Sequence, residues 1–331
     1  MIKSFLKYAF STLLAAALLY WAIDKSDLRW NDIYVTFQQA NYTWVGISIL
    51  IALISHIFRA LRWEQLLGAM HYYPGTTRTL SAVLIGYLAN FLVPRMGEVS
   101  RCGSLQKTAD IPFEKSFGTV ITERIVDLLG LLILVGLTFL VEWKPIQQFL
   151  FPNFQLPSIL TLAGLAIGLI AILALLWVKK PVILERWNKF TSNSSIGKKI
   201  HGWVLGISSI QEVSQPSKFV FYSIAIWIAY FANTYTLFLA FPISSSLGFS
   251  AALTVLVMGT FGMATPTQGG IGAYHSLVAS ALGFYLIPLK EATLLATFFH
   301  GTQMALILLL GGLSFILTLF LPKKHAGVNP L

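Results

Sequence analysis

LSAVLIGYLANFLVPRMGEVSR, residues 80–101, is apolar from Leu80 to Val93 and then breaks at Pro94. A spanning helix needs about 20 apolar residues, whereas a run of about 10–14 suits a re-entrant or buried segment. Gly86 and Asn90 weaken this run further as a span. The preceding apolar stretch, Tyr42 to about Phe58, ends in Arg59, Arg62 and Trp63, and the connection Pro94–Lys115 carries Arg95, Arg101, Lys107 and Lys115. Basic connections lie on the cytoplasmic side. Both ends of 80–93 are therefore expected inside, which makes the segment re-entrant.

Composition sets the surroundings of that segment. The chain of 331 residues is 56% hydrophobic and 11% charged, against roughly 45–50% and 25% in soluble domains. An integral membrane protein follows, and a soluble enzyme is excluded. The net charge of +10 sits in the connections, as expected of Lys and Arg facing anionic headgroups, so membrane lipid and not nucleic acid is the expected partner. One cysteine, Cys102, and six scattered histidines give no disulfide and no metal motif. No cofactor is implied.

The remaining apolar runs follow the same charge logic. Tyr8–Ile23, behind Lys3 and Lys7, reads as an uncleaved first helix with its amino end inside, and Asp24, Asp27 and Asp32 mark an outside loop. Ser116–Val141 runs outward and Ile159–Val178 returns to Lys179 and Lys180. The connection 179–218 is a cytoplasmic loop in which Ile200, Trp203, Val204, Ile207 and Ile210 have the spacing of an interfacial helix. Phe219–Phe241 goes out, and Ala292–Leu321 comes back to Lys323 and Lys324, which puts the carboxy terminus inside.

Between these last two lie Ala251–Ala264 and Ile271–Ile287, joined by the uncharged stretch Thr265-Pro266-Thr267-Gln268-Gly269-Gly270. Bare, unwound backbone of this kind reads as chain lining a cavity at membrane depth. Pro94-Arg95-Met96-Gly97 and Pro266-Thr267-Gln268-Gly269 share a P-x-x-G spacing, which admits an inverted repeat or coincidence. The expected fold is a single all-α domain over 1–331, polytopic, with about seven or eight spanning helices and one or two re-entrant or broken segments.

Glu123, Arg124 and Asp127 open a span, and Glu123 and Asp127 share a helix face at i,i+4. Two readings stand: snorkelling anchors in the headgroup layer, or charges in a wet site, since a central membrane charge costs about 2.5–3.5 kcal/mol. In the second reading the carboxylates, with Glu98, hold Arg95, Arg101 or Arg124 towards a phosphate. Anchoring is the plainer account of Arg59 and Arg62, and hydrogen-bonded core positions that of His56 and His300. Gly269, Gly270 and Gly272 precede a helix start and suit either a tight turn or backbone N–H groups around an anion.

FRALRWEQLL (58–67), GYLANFLVPRMGEVSR (86–101), TERIVD (122–127) and PTQGGIGAY (266–274) occur in an order and spacing that resemble the lysylphosphatidylglycerol synthase transmembrane family. This is the flippase-like domain that forms the membrane part of the bacterial multiple peptide resistance factor. The resemblance covers nearly the whole chain. It implies movement of a phosphate-bearing, in some members aminoacylated, lipid between leaflets of a bacterial cytoplasmic membrane. It implies no aminoacyl transfer, since the soluble synthase domain is absent from this sequence. It also marks Arg59, Arg62, Asn90, Pro94, Arg95, Gly97, Glu98, Arg101, Glu123, Arg124, Asp127, Pro266, Gly269, Gly270 and Gly272 as substrate-binding positions. A membrane enzyme using Glu123 or Asp127 as base, and a scaffold recruiting a separate lipid synthase, are the competing expectations.

Overall fold

Apolar stretches of 24 to 32 residues become continuous helices in the computed structural model, which describes residues 29–142 and 209–324 together with Ala17 and Tyr20. Among the described residues there are ten α-helices and no strand. They are α1 (Trp30–Gln39), α2 (Tyr42–Ala69), α3 (Thr76–Leu92), α4 (Gly97–Ala109), α5 (Phe113–Val141), α6 (Pro216–Leu239), α7 (Pro242–Ser245), α8 (Phe249–Ala264), α9 (Ala273–Phe284) and α10 (Leu289–Phe320). Of these, α2, α5, α6 and α10 are long and apolar enough to cross a membrane. The chain is an all-α polytopic membrane protein. The expected spans Tyr8–Ile23 and Ile159–Val178 lie outside the described residues, as does most of the 179–218 loop; its described end includes a short 3-10 turn, Ser209–Glu212.

Local chemistry sets the helix boundaries. Asn41 caps α2 by accepting the Thr43 N–H at 3.0 Å, and Pro216 occupies the first turn of α6, where no N–H is missed. Asp110 adopts the left-handed conformation and ends α4.

Two pairs of shorter helices form antiparallel hairpins. In the first, α3 and α4 pack along each other, and Arg78 at the start of α3 donates to the Thr108 carbonyl at the end of α4 (3.2 Å). At the other end of this pair Asn90 accepts the Gly97 N–H at 2.6 Å, which closes the break around Pro94. Gly97 is required there, because a Cβ would run into the Gly86 carbonyl oxygen and the Asn90 amide. In the second hairpin Thr254 of α8 meets the Tyr285 hydroxyl just after α9 (2.8 Å).

The two hairpins open towards opposite ends of the bundle. The feet of α3–α4 share their end with the close of α10, since Lys324 N–H donates to Thr108 O, Lys324 Nζ to Tyr73 O, and Lys323 pairs with Asp110. The feet of α8–α9 lie at the other end, where Tyr285 bonds Glu142 at the close of α5 and Asn41 N–H bonds Ala240 O. Lys290 pairs there with Asp32 (2.8 Å), and this ammonium, with the Arg29 N–H, holds the Asp32 carboxyl below the usual carboxylate range. Each hairpin has its own apolar core: Trp63, Cys102 and Leu105 for α3–α4, and Phe238, Val278, Leu282 and Phe299 for α8–α9. The tips meet between them, with the Arg95 guanidinium donating to the Ala264 carbonyl at 2.5 Å and Gly269 lying against Phe91.

Two boundaries differ from the sequence expectation. The stretch 94–115 is not an open connection, because α4 buries Arg101, Cys102, Leu105, Thr108 and Ala109 on one helical face against α3 and α5, with Trp63 and Leu67 of α2 in the same core. The first described spanning helix does not stop at Phe58 either: α2 continues to Ala69 and buries Arg59, Arg62, Trp63 and Leu66, since its arginines find carboxylates inside the bundle. Cys102 is 0% exposed, so it is a poor reporter of topology. In a Cys102→Ala background, single cysteines at Lys107 and Leu286, both exposed, should react with an impermeant maleimide from opposite sides of the membrane. Labelling of both from one side would contradict the arrangement of the hairpins.

Candidate functional site

The spacing of two sequence pairs builds the centre of the molecule. Arg59 and Arg62 lie at i,i+3 on α2, Glu123 and Asp127 at i,i+4 on α5, so each pair shares a helix face. Where these faces meet, Arg59 Nη2 stands 2.8 Å from Asp127 Oδ2, and Arg62 Nη2 stands 2.7 Å from Asp127 Oδ1 and 3.2 Å from Glu123 Oε1. Arg101 of α4 closes the row, its Nη1 2.6 Å from Glu123 Oε2. The result is an alternating chain of three guanidiniums and two carboxylates across α2, α5 and the first hairpin. The Arg62 and Glu123 side chains are fully buried.

Aromatic groups hold this row in place. Arg101 lies over the Trp63 ring at 4.6 Å, and Trp63 donates its indole N–H to Thr119 at 2.8 Å. Arg59 Nε donates to the Tyr230 hydroxyl at 3.0 Å, with the Tyr87 ring 6.0 Å away. Trp63 stood out in the sequence only as the end of an apolar run, and Thr119, Tyr87 and Tyr230 were not singled out. An aromatic residue in an apolar helix carries no mark of the cation it will face.

Arg124 and Glu98 stand apart from the tight row. The Arg124 side chain is 44% exposed, 3.7 Å from Glu98 and 3.6 Å from Asp127, and Glu98 is 26% exposed. Both line a narrow cleft with Arg59, Tyr87, Asn90 and Arg101. That cleft has room for about one water. Arg62 Nε and Nη1, and Arg101 Nε and Nη2, are buried without a hydrogen-bond partner. Four guanidiniums therefore face three carboxylates, with unfilled donors on two of the four.

The other expected positions divide between the tips. Arg95 points away from the cluster to Ala264, with a positive φ of 63°, so it joins the two breaks and does not sit beside Arg101. Pro94 turns the first tip, Asn90 and Gly97 close it, and Pro266 begins the second. Gly269, Gly270 and Gly272 all have positive φ. Two of their N–H groups are already taken, since Gly270 donates to Thr267 O and Gly272 to His275 Nδ1. Anchoring fails as an account of Arg59 and Arg62, which are 6% and 0% exposed; their charges are answered inside the bundle by Asp127 and Glu123. His300 is a hydrogen-bonded core residue as expected, 2.9 Å from Gly269 O, whereas His56 rests on the Tyr87 ring and its Nδ1 has no partner.

The motif blocks that build this cluster lie within a match to the lysylphosphatidylglycerol synthase transmembrane region over residues 5–311. The chain belongs to that family. Among curated relatives of this family member is a UPF0104 membrane protein of Pyrococcus horikoshii, 23% identical over 88% of this chain and 89% of the relative. Another, from Methanocaldococcus jannaschii, is 20% identical over 75% of this chain and 76% of its own length. No solved structure matches the chain.

Two substitutions test the division of roles. Arg62→Met should lower stability in detergent by about 3–5 kcal/mol, because it takes away the guanidinium that meets Asp127 Oδ1 and Glu123 Oε1 inside the bundle. Arg124→Met, at a half-exposed position with contacts beyond 3.5 Å, should cost about 1 kcal/mol or less. Unfolding midpoints of the two purified variants against wild type measure the difference. At the second tip, Gly270→Val should also destabilise, since Gly270 has φ +78° and a Cβ there would stand 2.7 Å from Met263 Sδ and 3.2 Å from Met263 Cα.

Proposed function

We propose that this protein moves a phosphate-bearing lipid between the leaflets of the cytoplasmic membrane. The observation that carries the reading is the cationic excess at the meeting point of α2, α4 and α5, where buried Arg101 and half-exposed Arg124 flank a cleft and Arg101 keeps two unfilled N–H donors. Buried donors without partners are rare. An oxygen-rich anion is the ligand that answers several of them at once, and guanidinium groups bind phosphate bidentately.

In this reading Arg101 and Arg124 contact the headgroup, Glu123 and Asp127 hold the arginines, and the acyl chains stay in the membrane. The α3–α4 and α8–α9 hairpins enter from opposite faces, with the α3–α4 feet and Lys323 and Lys324 cytoplasmic by the distribution of basic residues. A cleft with room for about one water must widen to admit a headgroup, and the contact of Arg95 with Ala264 is where the two hairpins would part. Glu123 and Asp127 are each held by at least two guanidiniums. A carboxylate so engaged is a poor general base, which favours transport over a lipid-modifying enzyme.

The test uses purified full-length protein in vesicles of phosphatidylethanolamine and phosphatidylglycerol carrying a fluorescent phosphatidylglycerol, with a membrane-impermeant quencher added outside. Wild type should expose the inner-leaflet probe. Arg124→Lys should slow this by about tenfold while keeping its elution profile, because lysine keeps the charge and loses the planar fork. Rates equal to protein-free vesicles for the wild type would overturn the reading, and conversion of the probe to a new lipid would favour an enzyme.

A further inference from the structure

The second hairpin carries a buried polar cluster that the lipid reading does not use. His275 of α9 and His300 of α10 are 6% and 3% exposed, with ring centroids 4.9 Å apart and planes at 80°. Tyr274 stacks on His300 at 4.8 Å. Both imidazoles bond the unwound segment itself: Gly272 N–H reaches His275 Nδ1 at 3.2 Å, and His300 Nε2 lies 2.9 Å from Gly269 O.

These two bonds fix where the protons are. A backbone N–H only donates, so His275 Nδ1 is a bare acceptor and its proton is on Nε2. A carbonyl only accepts, so His300 carries a proton on Nε2, and in its neutral form has Nδ1 bare. His275 is therefore neutral in this arrangement, whereas the His300 bond holds with that ring neutral or charged. Among the described residues no carboxylate, ammonium or guanidinium faces either ring: α9 offers Tyr274, α10 offers Met304, α3 offers Phe91 and α8 offers Met263 around the same glycines. The nearest charge on the adjoining tip is Arg95, and its guanidinium bonds Ala264 O.

We propose that His275 and His300 form a proton-binding site that takes up one proton, and that uptake at His275 releases the start of α9. A proton from water adds to a bare ring nitrogen. On His275 that nitrogen is Nδ1, so uptake sets N–H against the Gly272 N–H and ends that bond. On His300 it is Nδ1, which leaves the bond to Gly269 intact. Two imidazolium rings 4.9 Å apart repel each other in an apolar surrounding, so the second proton is excluded. Gly272, at φ +81°, is the residue at which α9 begins, and Gly269 beside it rests against Phe91 of the first tip. Proton uptake at His275 thus loosens the segment where the two hairpins meet.

Hydrogen exchange on the full-length protein in detergent tests this without reference to lipid. After correction for the intrinsic pH dependence of amide exchange, protection of the segment around Gly272 should fall by about tenfold per pH unit as His275 titrates from neutral to charged. His275→Asn places an amide oxygen near the position of Nδ1 and cannot be protonated, so its protection should not change with pH. His300→Gln retains a donor for Gly269 and removes the competing charge, so the fall should persist and begin at higher pH. Equal responses in wild type and His275→Asn would overturn the proposal. If His275→Asn does not fold, an unchanged midpoint in His300→Gln overturns it. Lipid movement measured on the same preparations decides the translocation reading separately: loss of transport leaves the exchange result standing, and loss of the pH response leaves transport standing.

Discussion

A guanidinium placed inside a helical bundle needs a carboxylate at contact distance, and Arg62 takes two, at 2.7 and 3.2 Å. This demand organises the half of the molecule around the first hairpin. It fixes the rotation of α2 against α5, because Arg62 can meet both Glu123 and Asp127 only if the two helix faces are turned towards each other. Glu123 then reaches Arg101, which ties the first hairpin to the same row. In a low-dielectric surrounding an uncompensated member would cost several kcal/mol, about 3–5 by the measure of broken buried pairs. The row is therefore weak as a source of net stability and strong as a constraint on geometry.

The second half is built on different physics. Around α8 and α9 the core is aromatic and aliphatic, with Phe238, Phe241, Phe298 and Phe299 packed against Val278 and Leu282. Three of its inner polar side chains bond to backbone: His300 to Gly269, His275 to Gly272, and Asn233 to the Ser48 carbonyl. The two hairpins are alike in outline, each a helix, an unwound glycine-containing break and a returning helix, and unlike in chemistry. Charge is concentrated at one tip and titratable neutral groups at the other. Arg95 joins them through a carbonyl at the end of α8, where the helix dipole favours a cation.

Legibility in the sequence followed the range of the interaction that sets each feature. Local features were readable. The shortness of 80–93, the uncharged break at 265–270, and the shared face of Glu123 and Asp127 all depend on residues within a few positions of one another. The structure agrees with these because helix periodicity and the needs of backbone hydrogen bonding act over that distance. The basic residues were harder. Arg59 and Arg62 at the end of an apolar run have the same local pattern as ordinary interfacial anchors, and only the carboxylates 61 to 68 residues further along the chain distinguish the two cases.

By itself, then, the amino-acid sequence determined that this is an all-α membrane protein, which of the long apolar stretches among the described residues are helical, where two breaks fall, and to which family the chain belongs. Hydrophobic length, proline and glycine positions and motif order carry those statements, and all are properties of the chain read in one dimension. Tertiary structure alone decided the partners: that Arg59 and Arg62 face inward to Asp127 and Glu123, that Arg95 serves the opposite tip, that 94–115 folds as a returning helix, and that two histidines 25 positions apart in the numbering share one site. Each of these is a choice between charged or polar groups of equal local standing. It is made by which helix faces approach one another, because burying a charge or a backbone N–H is tolerable only where a complementary group is already waiting.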